Sequence, residues 1–178
     1  MNQILFVCTA NQARSPFCEA VFASTNLCPD VVVASAGTQA VDGRPCDPKT
    51  TTIAQELGFE VSGHRSRRLA DDHVRDSDLI VCMTNEHVRQ SVGLYVQAWS
   101  RTFTLIDLAR RAALFGPRSG GPVANYAAAL HEGRNLQDVW LDGGPDDLPD
   151  PINLSLNGHR RILMRAQSLT ESVGLLLR

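Results

Sequence analysis

The stretch Val7-Cys8-Thr9-Ala10-Asn11-Gln12-Ala13-Arg14-Ser15-Pro16 decides how this chain is read. It follows Ile4-Leu5-Phe6, a brief apolar run rich in branched and aromatic residues, which reads as a buried strand. It precedes Phe17, Ala20, Val21 and Phe22, which are apolar at helical spacing, so a helix is expected from about Pro16 to Ser24. Pro16 suits the first helical position, where a missing N–H costs nothing. A cysteine therefore ends a strand, five residues intervene, and Arg14-Ser15 opens a helix. Such a loop aims backbone N–H groups and the positive end of a helix dipole at one point, which favours an anion. Cys8 would lie beneath that anion. The Arg14 guanidinium would grip its rim with two parallel hydrogen bonds. The bare Cys-to-Arg spacing carries little weight in a chain with five cysteines and 16 arginines, and a purely structural Cys8 is the bland alternative. The strand before, the helix after and a loop whose only charge is Arg14 carry the reading.

Outward from this stretch, a turn is expected over 26–30. Val31-Val32-Val33-Ala34 then forms a second buried strand that ends in Ser35-Ala36-Gly37-Thr38. Two such strands joined by a helix imply a right-handed crossover and a parallel sheet. Asp47-Pro48 reads as the cap and first residue of a helix that stops at Gly58. Further elements are a short helix over 69–73, a strand over 78–83, a helix over 85–92 capped by Thr84, and a strand over 102–106. Helices over 107–114 and 125–130 follow, separated by a Gly- and Pro-rich break. Residues 142–151 form a loop with four aspartates and three prolines. Ile162, Leu163, Ala166, Leu169, Val173 and Leu176 mark a final amphipathic helix. The alternation predicts a doubly wound α/β fold, whose ligands bind beyond the carboxyl ends of the strands.

The length of 178 residues suits one domain with one substantial core. The net charge of −2 gives no electrostatic case for nucleic acid or for an anionic membrane surface. No basic-plus-apolar leader precedes the first strand, and no apolar run approaches membrane length. The cysteines (Cys8, Cys18, Cys28, Cys46, Cys82) are odd in number and lack the paired spacings of zinc sites. A reducing cytoplasm is the expected location, with neither metal nor cofactor.

The segment from Val7-Cys8 to Ser15-Pro16 resembles the phosphate-binding loop of the low-molecular-weight protein tyrosine phosphatases. The resemblance continues through Ala34-Ser35-Ala36-Gly37-Thr38, His64-Arg65-Ser66-Arg67, Asp78-Leu79-Ile80-Val81-Cys82-Met83 and Asp150-Pro151, in the family's order. It is thinnest from about Ala109 to Asp147. It implies a four-stranded parallel sheet of order 2-1-3-4 in a single domain over 1–178, with 116–144 as a candidate insertion. It also implies a phosphatase that passes through a cysteinyl phosphate, with a phosphorylated protein as substrate. Cys8 is then the nucleophile, whose thiolate a helix N-terminus, loop N–H groups and Arg14 would favour. Thr9, Ala10, Asn11, Gln12, Ala13 and Arg14 hold the phosphate, and Ser15 donates to the sulfur. Asn11, Ser35 and His64 brace the loop. Asp150, in the loop before the last helix, is the expected general acid; Asp146 and Asp147 are the fallbacks, and Asp47 is read as a helix cap. The loop and Arg14 would neutralise the phosphoryl oxygens without a metal.

The departures bear on substrate and redox behaviour. Ala13 stands where many members carry a second cysteine that protects the nucleophile, so that protection should be missing. Related arsenate reductases need resolving cysteines downstream, and none follows Cys82. Gln12 matches neither the aliphatic residue common in tyrosine phosphatases nor the threonine linked with arginine phosphatases. Ile152-Asn153-Leu154 follow Asp150-Pro151 where tyrosines are often found, so the aromatic wall for a phosphotyrosine ring is weaker or comes from elsewhere, Trp140 being the candidate. The leading reading is a phosphotyrosine phosphatase. The alternatives are a protein arginine phosphatase, a small-phosphoester phosphatase on the same scaffold, or an inactive phosphate-binding module. A binding module would have no use for Asp150.

Overall fold

A computed structural model describes residues 2–25, 27–140 and 143–178. Residue 26 of the expected turn and residues 141 and 142 of the candidate insertion lie outside it. The sheet is parallel and four-stranded, in the expected order β2-β1-β3-β4. Its strands are β1 (Asn2–Cys8), β2 (Val31–Gly37), β3 (Leu79–Cys82) and β4 (Thr102–Thr104). β1 is central. It pairs with β2 so that Cys8 sits beside Gly37, and with β3 so that Val7 sits beside Cys82.

Successive side chains of a strand point to opposite faces, and both faces of this sheet are covered. Ile4, Phe6 and Cys8 face one core with α1 (Arg14–Thr25), α5 (Leu105–Phe115) and α7 (Leu156–Leu177). Leu5 and Val7 face a second core with α3 (Asp71–Arg75) and α4 (Asn85–Leu94). This two-sided burial is why Ile4-Leu5-Phe6-Val7 is an unbroken apolar run rather than an alternating one. α7 buries Leu163, Ala166, Thr170, Val173 and Leu177 at spacings of three and four, capped by Ser155, whose Oγ accepts from the Gly158 N–H.

Several boundaries differ from the expectation, most by one or two residues. α1 starts at Arg14, so Pro16 is its third residue; its missing N–H still falls in the first turn, where no intrahelical acceptor exists. β2 runs on to Gly37, and only Ser35, Ala36 and Gly37 are buried: Val31 to Ala34, expected as a buried strand, lie on a sheet edge, where Val32 is 47% exposed. The strand expected over 102–106 stops at Thr104, because the Thr104 hydroxyl accepts from the Asp107 N–H and caps α5. The short helix expected over 69–73 covers Asp71–Arg75. α2 (Pro48–Glu56) is capped as read, with Asp47 Oδ1 accepting from the N–H groups of Lys49 and Thr50.

Within 116–144, α6 (Val123–His131) buries Val123, Tyr126, Ala127 and Leu130. Arg118 pairs with Asp30 and donates to the Leu177 carbonyl. Arg134 stacks between Trp99 and Phe103, 4.1 Å from each ring centre, and pairs with Asp107. A buried cation between two rings and a carboxylate keeps favourable electrostatics on three sides.

Gly37 is where the fold touches the site. A Cβ there would come 2.6 Å from the Thr9 carbonyl oxygen and 2.8 Å from the Asn11 nitrogen. Both are backbone atoms and cannot swing aside. Gly37→Ala should therefore cost about 1–3 kcal/mol in urea unfolding and weaken inorganic phosphate binding by displacing the loop. Unchanged stability and phosphate affinity would show that the loop does not rest on Gly37.

Candidate active site

The loop from Cys8 to Arg14 joins β1 to α1 at the carboxyl end of the sheet, and its carbonyls are turned outward. The Cys8 and Thr9 carbonyls accept from the N–H groups of Thr38 and Gln39, and that of Gln12 from the Asp47 N–H. The Asn11 carbonyl accepts from His64 Nε2 at 2.7 Å, so that nitrogen carries the proton. In a trans peptide the N–H points opposite to its carbonyl. The N–H groups of Thr9, Ala10, Gln12 and Ala13 are thereby left to the concave side, which makes an anion nest.

Asn11 holds this shape. Its φ of 55° lies in the left-handed region, which asparagine tolerates better than most residues. It is fully buried, and its amide is fully used. The backbone N–H of Arg67 donates to Oδ1 at 2.9 Å, which fixes the orientation of the amide, since an N–H can only donate. Nδ2 then gives its two protons to Ser15 Oγ at 2.9 Å and Ser35 Oγ at 2.8 Å. Ser15 Oγ accepts from Asn11, and its own proton has two acceptors in reach, Cys8 Sγ at 3.0 Å and the Ala36 carbonyl at 3.4 Å; a thiolate at Cys8 would be the nearer and the stronger of the two. Thus the expected bracing residues Asn11, Ser35 and His64 meet at one point behind the cysteine.

Arg14 is 3% exposed, yet it reaches the site. Nη1 donates to the Leu148 carbonyl at 3.0 Å. Nη2 donates to Thr9 Oγ1 at 3.4 Å and meets Asp150 Oδ2 at 2.5 Å. A pocket of about 210 Å³ is lined by the loop on one side and by Asp150 and Ile152 on the other. Asp150 is brought there by its surroundings. Leu148 is buried and its N–H donates to the Met83 carbonyl at the end of β3. The Ile152 N–H donates to Asp150 Oδ1. Lys49, the single lysine of the chain, donates to the carbonyls of Ile152 and Leu154.

The other carboxylates are occupied elsewhere. Asp147 accepts from the Asn85 and Gly143 N–H groups, holding the start of α4. Asp146 pairs with Arg110. Neither lines the pocket of Cys8. Trp140 does not supply an aromatic wall: it is 67% exposed, lies near Arg89 and lines a separate groove with Val88, Val92 and Val96. Among the described residues, no aromatic side chain lines the pocket of Cys8. Gln12, expected as a phosphate-loop residue and as the departure that bears on substrate choice, donates from its side-chain amide to the Pro45 carbonyl.

Sequence reading missed several supports: the Leu148 carbonyl, Lys49, the Arg67 N–H and His87. His87 is buried, with Nε2 2.9 Å from Thr9 Oγ1 and Nδ1 2.9 Å from Thr84 Oγ1. Burial, helped by the Arg14 charge, pushes its pKa down to about 3. The capping residue Thr84, visible in the sequence, was the signal that could have led to it.

The remaining thiols are poor partners for Cys8. Burial pushes Cys18 and Cys46 up to about 12, and Cys82 likewise. Ala13 occupies the position of the usual second cysteine. Hydrogen peroxide should therefore carry Cys8 toward sulfinic acid, because no neighbouring thiolate is available to intercept the sulfenic acid. Mass spectrometry of the peroxide-treated protein checks this; a Cys8–Cys18 disulfide as the main product would overturn it.

The geometry joins a strand-end cysteine, a nest of N–H groups and a buried arginine, and comparison with known proteins gives the chain a family. Residues 3–114 match the family model described as low molecular weight phosphotyrosine protein phosphatase. A protein-arginine-phosphatase of Geobacillus stearothermophilus is 34% identical over 137 residues, 76% of this chain and 91% of that protein. The low molecular weight protein-tyrosine-phosphatase Etp of Escherichia coli (strain K12) is 34% identical over 101 residues, 57% of this chain and 67% of that protein. Among solved structures, the YwlE arginine phosphatase from Geobacillus stearothermophilus superposes with a TM-score of 0.73 at 26% identity, covering 98% of this chain and 91% of that one. No helix among the described residues is long and apolar enough to cross a membrane. The sheet order, the loop that follows Cys8 and the family match over residues 3–114 lead to one conclusion: this chain belongs to the low-molecular-weight phosphotyrosine protein phosphatase family.

Proposed function

We propose that this protein hydrolyses phosphotyrosine in phosphorylated proteins through a cysteinyl-phosphate intermediate. The observation that carries the reading is the Ser15 hydroxyl 3.0 Å from Cys8 Sγ, within reach to donate to a thiolate, behind a nest that Arg14 enters. The Cys8 thiolate attacks phosphorus in line with the ester oxygen. The P–O bond breaks, and the Asp150 carboxyl gives its proton to the leaving phenolic oxygen. The nest and Arg14 hold the three equatorial oxygens. Asp150, now a carboxylate, takes a proton from water as the water oxygen attacks phosphorus. The P–S bond breaks, and the thiolate returns to the Ser15 hydrogen bond.

A second substrate, phosphoarginine, is favoured by one observation: the pocket is lined by Ile152 rather than by an aromatic ring. The relative spanning most of this chain is named a protein-arginine-phosphatase. Turnover of phosphotyrosine, phosphoarginine and phosphoserine peptides of one common sequence tests the reading. Preference for phosphotyrosine supports the leading form, and preference for phosphoarginine replaces it with the second. Tight phosphate binding with no turnover of any peptide would leave only a binding module. The proposed location is the cytoplasm, supported by five free cysteines. Residues 1–178 are proposed to act as one domain, with 116–144 as an insertion packed on the common core.

A further inference from the structure

The buried His87 has no place in the steps above, yet it touches the loop. Thr9 Oγ1 stands between His87 Nε2, at 2.9 Å, and Arg14 Nη2, at 3.4 Å. Arg14 can only donate, so Thr9 accepts from it. On the far side of the ring, Nδ1 lies 2.9 Å from Thr84 Oγ1, which already accepts from the His87 backbone N–H as the cap of α4. A neutral imidazole carries one proton, on either nitrogen. The Arg14 charge decides between them: a bare Nε2 turns the negative end of the ring dipole toward the guanidinium, while an Nε2–H turns the positive end toward it.

We propose that His87 is a positioning residue that acts through Thr9: its bare Nε2 takes the Thr9 hydroxyl proton, so that a Thr9 lone pair holds Arg14 Nη2 in the plane that grips the phosphoryl oxygens. The chain of donors starts at Arg14: Nη2–H donates to Thr9 Oγ1, Thr9 Oγ1–H to His87 Nε2, and His87 Nδ1–H to Thr84 Oγ1. The Leu148 carbonyl holds Nη1, while Nη2 is shared between Asp150 Oδ2 at 2.5 Å and Thr9 Oγ1 at 3.4 Å; Thr9 is the partner that stays when a phosphoryl group displaces the carboxylate. A fork pre-set in this way loses little side-chain freedom when it binds. His87 is 2% exposed and does not line the pocket, so its effect must pass through Thr9. Its burial and low pKa keep it neutral under working conditions. This inference rests on the phosphatase reading for its catalytic part alone; the hold on Arg14 concerns any oxyanion.

The test uses inorganic phosphate as competitive inhibitor and ligand, a nitrophenyl phosphate as substrate, and thermal unfolding as control. His87→Leu should lower kcat/KM and phosphate affinity together by about tenfold, the worth of one hydrogen bond to a charged group. His87→Gln, whose side-chain oxygen can still accept from Thr9, should recover most of both. Thr9→Val should match His87→Leu, and the double variant should lose little more than either alone. A purely structural His87 would instead lower the unfolding temperature with phosphate affinity unchanged, and glutamine would rescue no better than leucine. Should His87→Leu fail to fold, imidazole nitrogen NMR of the parent protein decides: Nε2 unprotonated and Nδ1 protonated from pH about 5 to 8 is expected. The opposite tautomer, or additive losses in the double variant, overturns the proposal. If the parent turns over no phosphoester, the phosphatase reading fails, while phosphate affinity across the variants still tests the hold on Arg14.

Discussion

Cys8→Ser should abolish turnover and leave inorganic phosphate bound with nearly the parent's affinity. Serine keeps the loop's shape: Cys8 is buried at the end of β1, and the smaller Oγ meets no new neighbour. The groups proposed to hold phosphate, the nest of N–H groups and Arg14, remain as they are. What is lost is the thiolate. An alcohol is far less acidic than a thiol, so the helix N-terminus, loop N–H groups and Arg14 that favour a thiolate do not supply an alkoxide near neutral pH. Removing a nucleophile that acts as part of a unit costs on the order of 10⁴-fold or more in kcat. Residual activity within about tenfold of the parent would end the cysteinyl-phosphate mechanism. Loss of both turnover and phosphate binding would place the fault in the loop instead, and thermal unfolding would show it.

Asp150→Asn should slow poor leaving groups far more than good ones. General acid catalysis typically contributes ~10²–10⁴-fold, and the contribution grows with the basicity of the leaving oxygen. An alkyl-substituted phenyl phosphate should therefore lose most of its rate, and a nitrophenyl phosphate much less. Cys8 should still be phosphorylated by the activated ester, because Arg14 keeps the Leu148 carbonyl and Thr9 as partners. The same substitution at Asp147 should act differently. Asp147 accepts two backbone N–H groups, from Asn85 and Gly143, so the asparagine variant should lower stability and leave the leaving-group dependence flat. Asp146→Asn should weaken the pair with Arg110, and Asp47→Asn a helix cap, the latter by about 1 kcal/mol. A steeper leaving-group dependence in Asp146→Asn or Asp147→Asn, with Asp150→Asn unchanged, would move the acid. No change in any of the three would remove it.

The sequence by itself determined the parallel sheet and the location of its site. The unbroken apolar run Ile4-Leu5-Phe6-Val7 requires burial on both faces, a helix must cross over to the next such run, and a cysteine at the strand end followed by Arg14-Ser15 points one loop at an anion. These are local signals, because strand burial, helix period and loop composition are each written within about ten residues. Short elements were less legible. β4 ends at Thr104 because a threonine hydroxyl caps the next helix, a choice that competes with strand propensity residue by residue. The source of an aromatic wall was not legible at all, and Trp140 proved to line another groove.

The Asp150-Pro151 pair favoured Asp150 over its neighbours in the sequence, but only the tertiary structure decided why it, and neither Asp146 nor Asp147, faces the cysteine; the three lie within five residues, and the family match ends at residue 114, before them. The choice is made by partners far away in sequence: Arg110 draws Asp146, the Asn85 N–H draws Asp147, and the Met83 carbonyl anchors Leu148 so that Asp150 falls against Arg14. His87 reaches the loop in the same way, from a helix 78 residues beyond Thr9. A hydrogen bond is satisfied by whatever donor or acceptor the fold brings within about 3 Å, and sequence spacing says little about which of several equal carboxylates that will be.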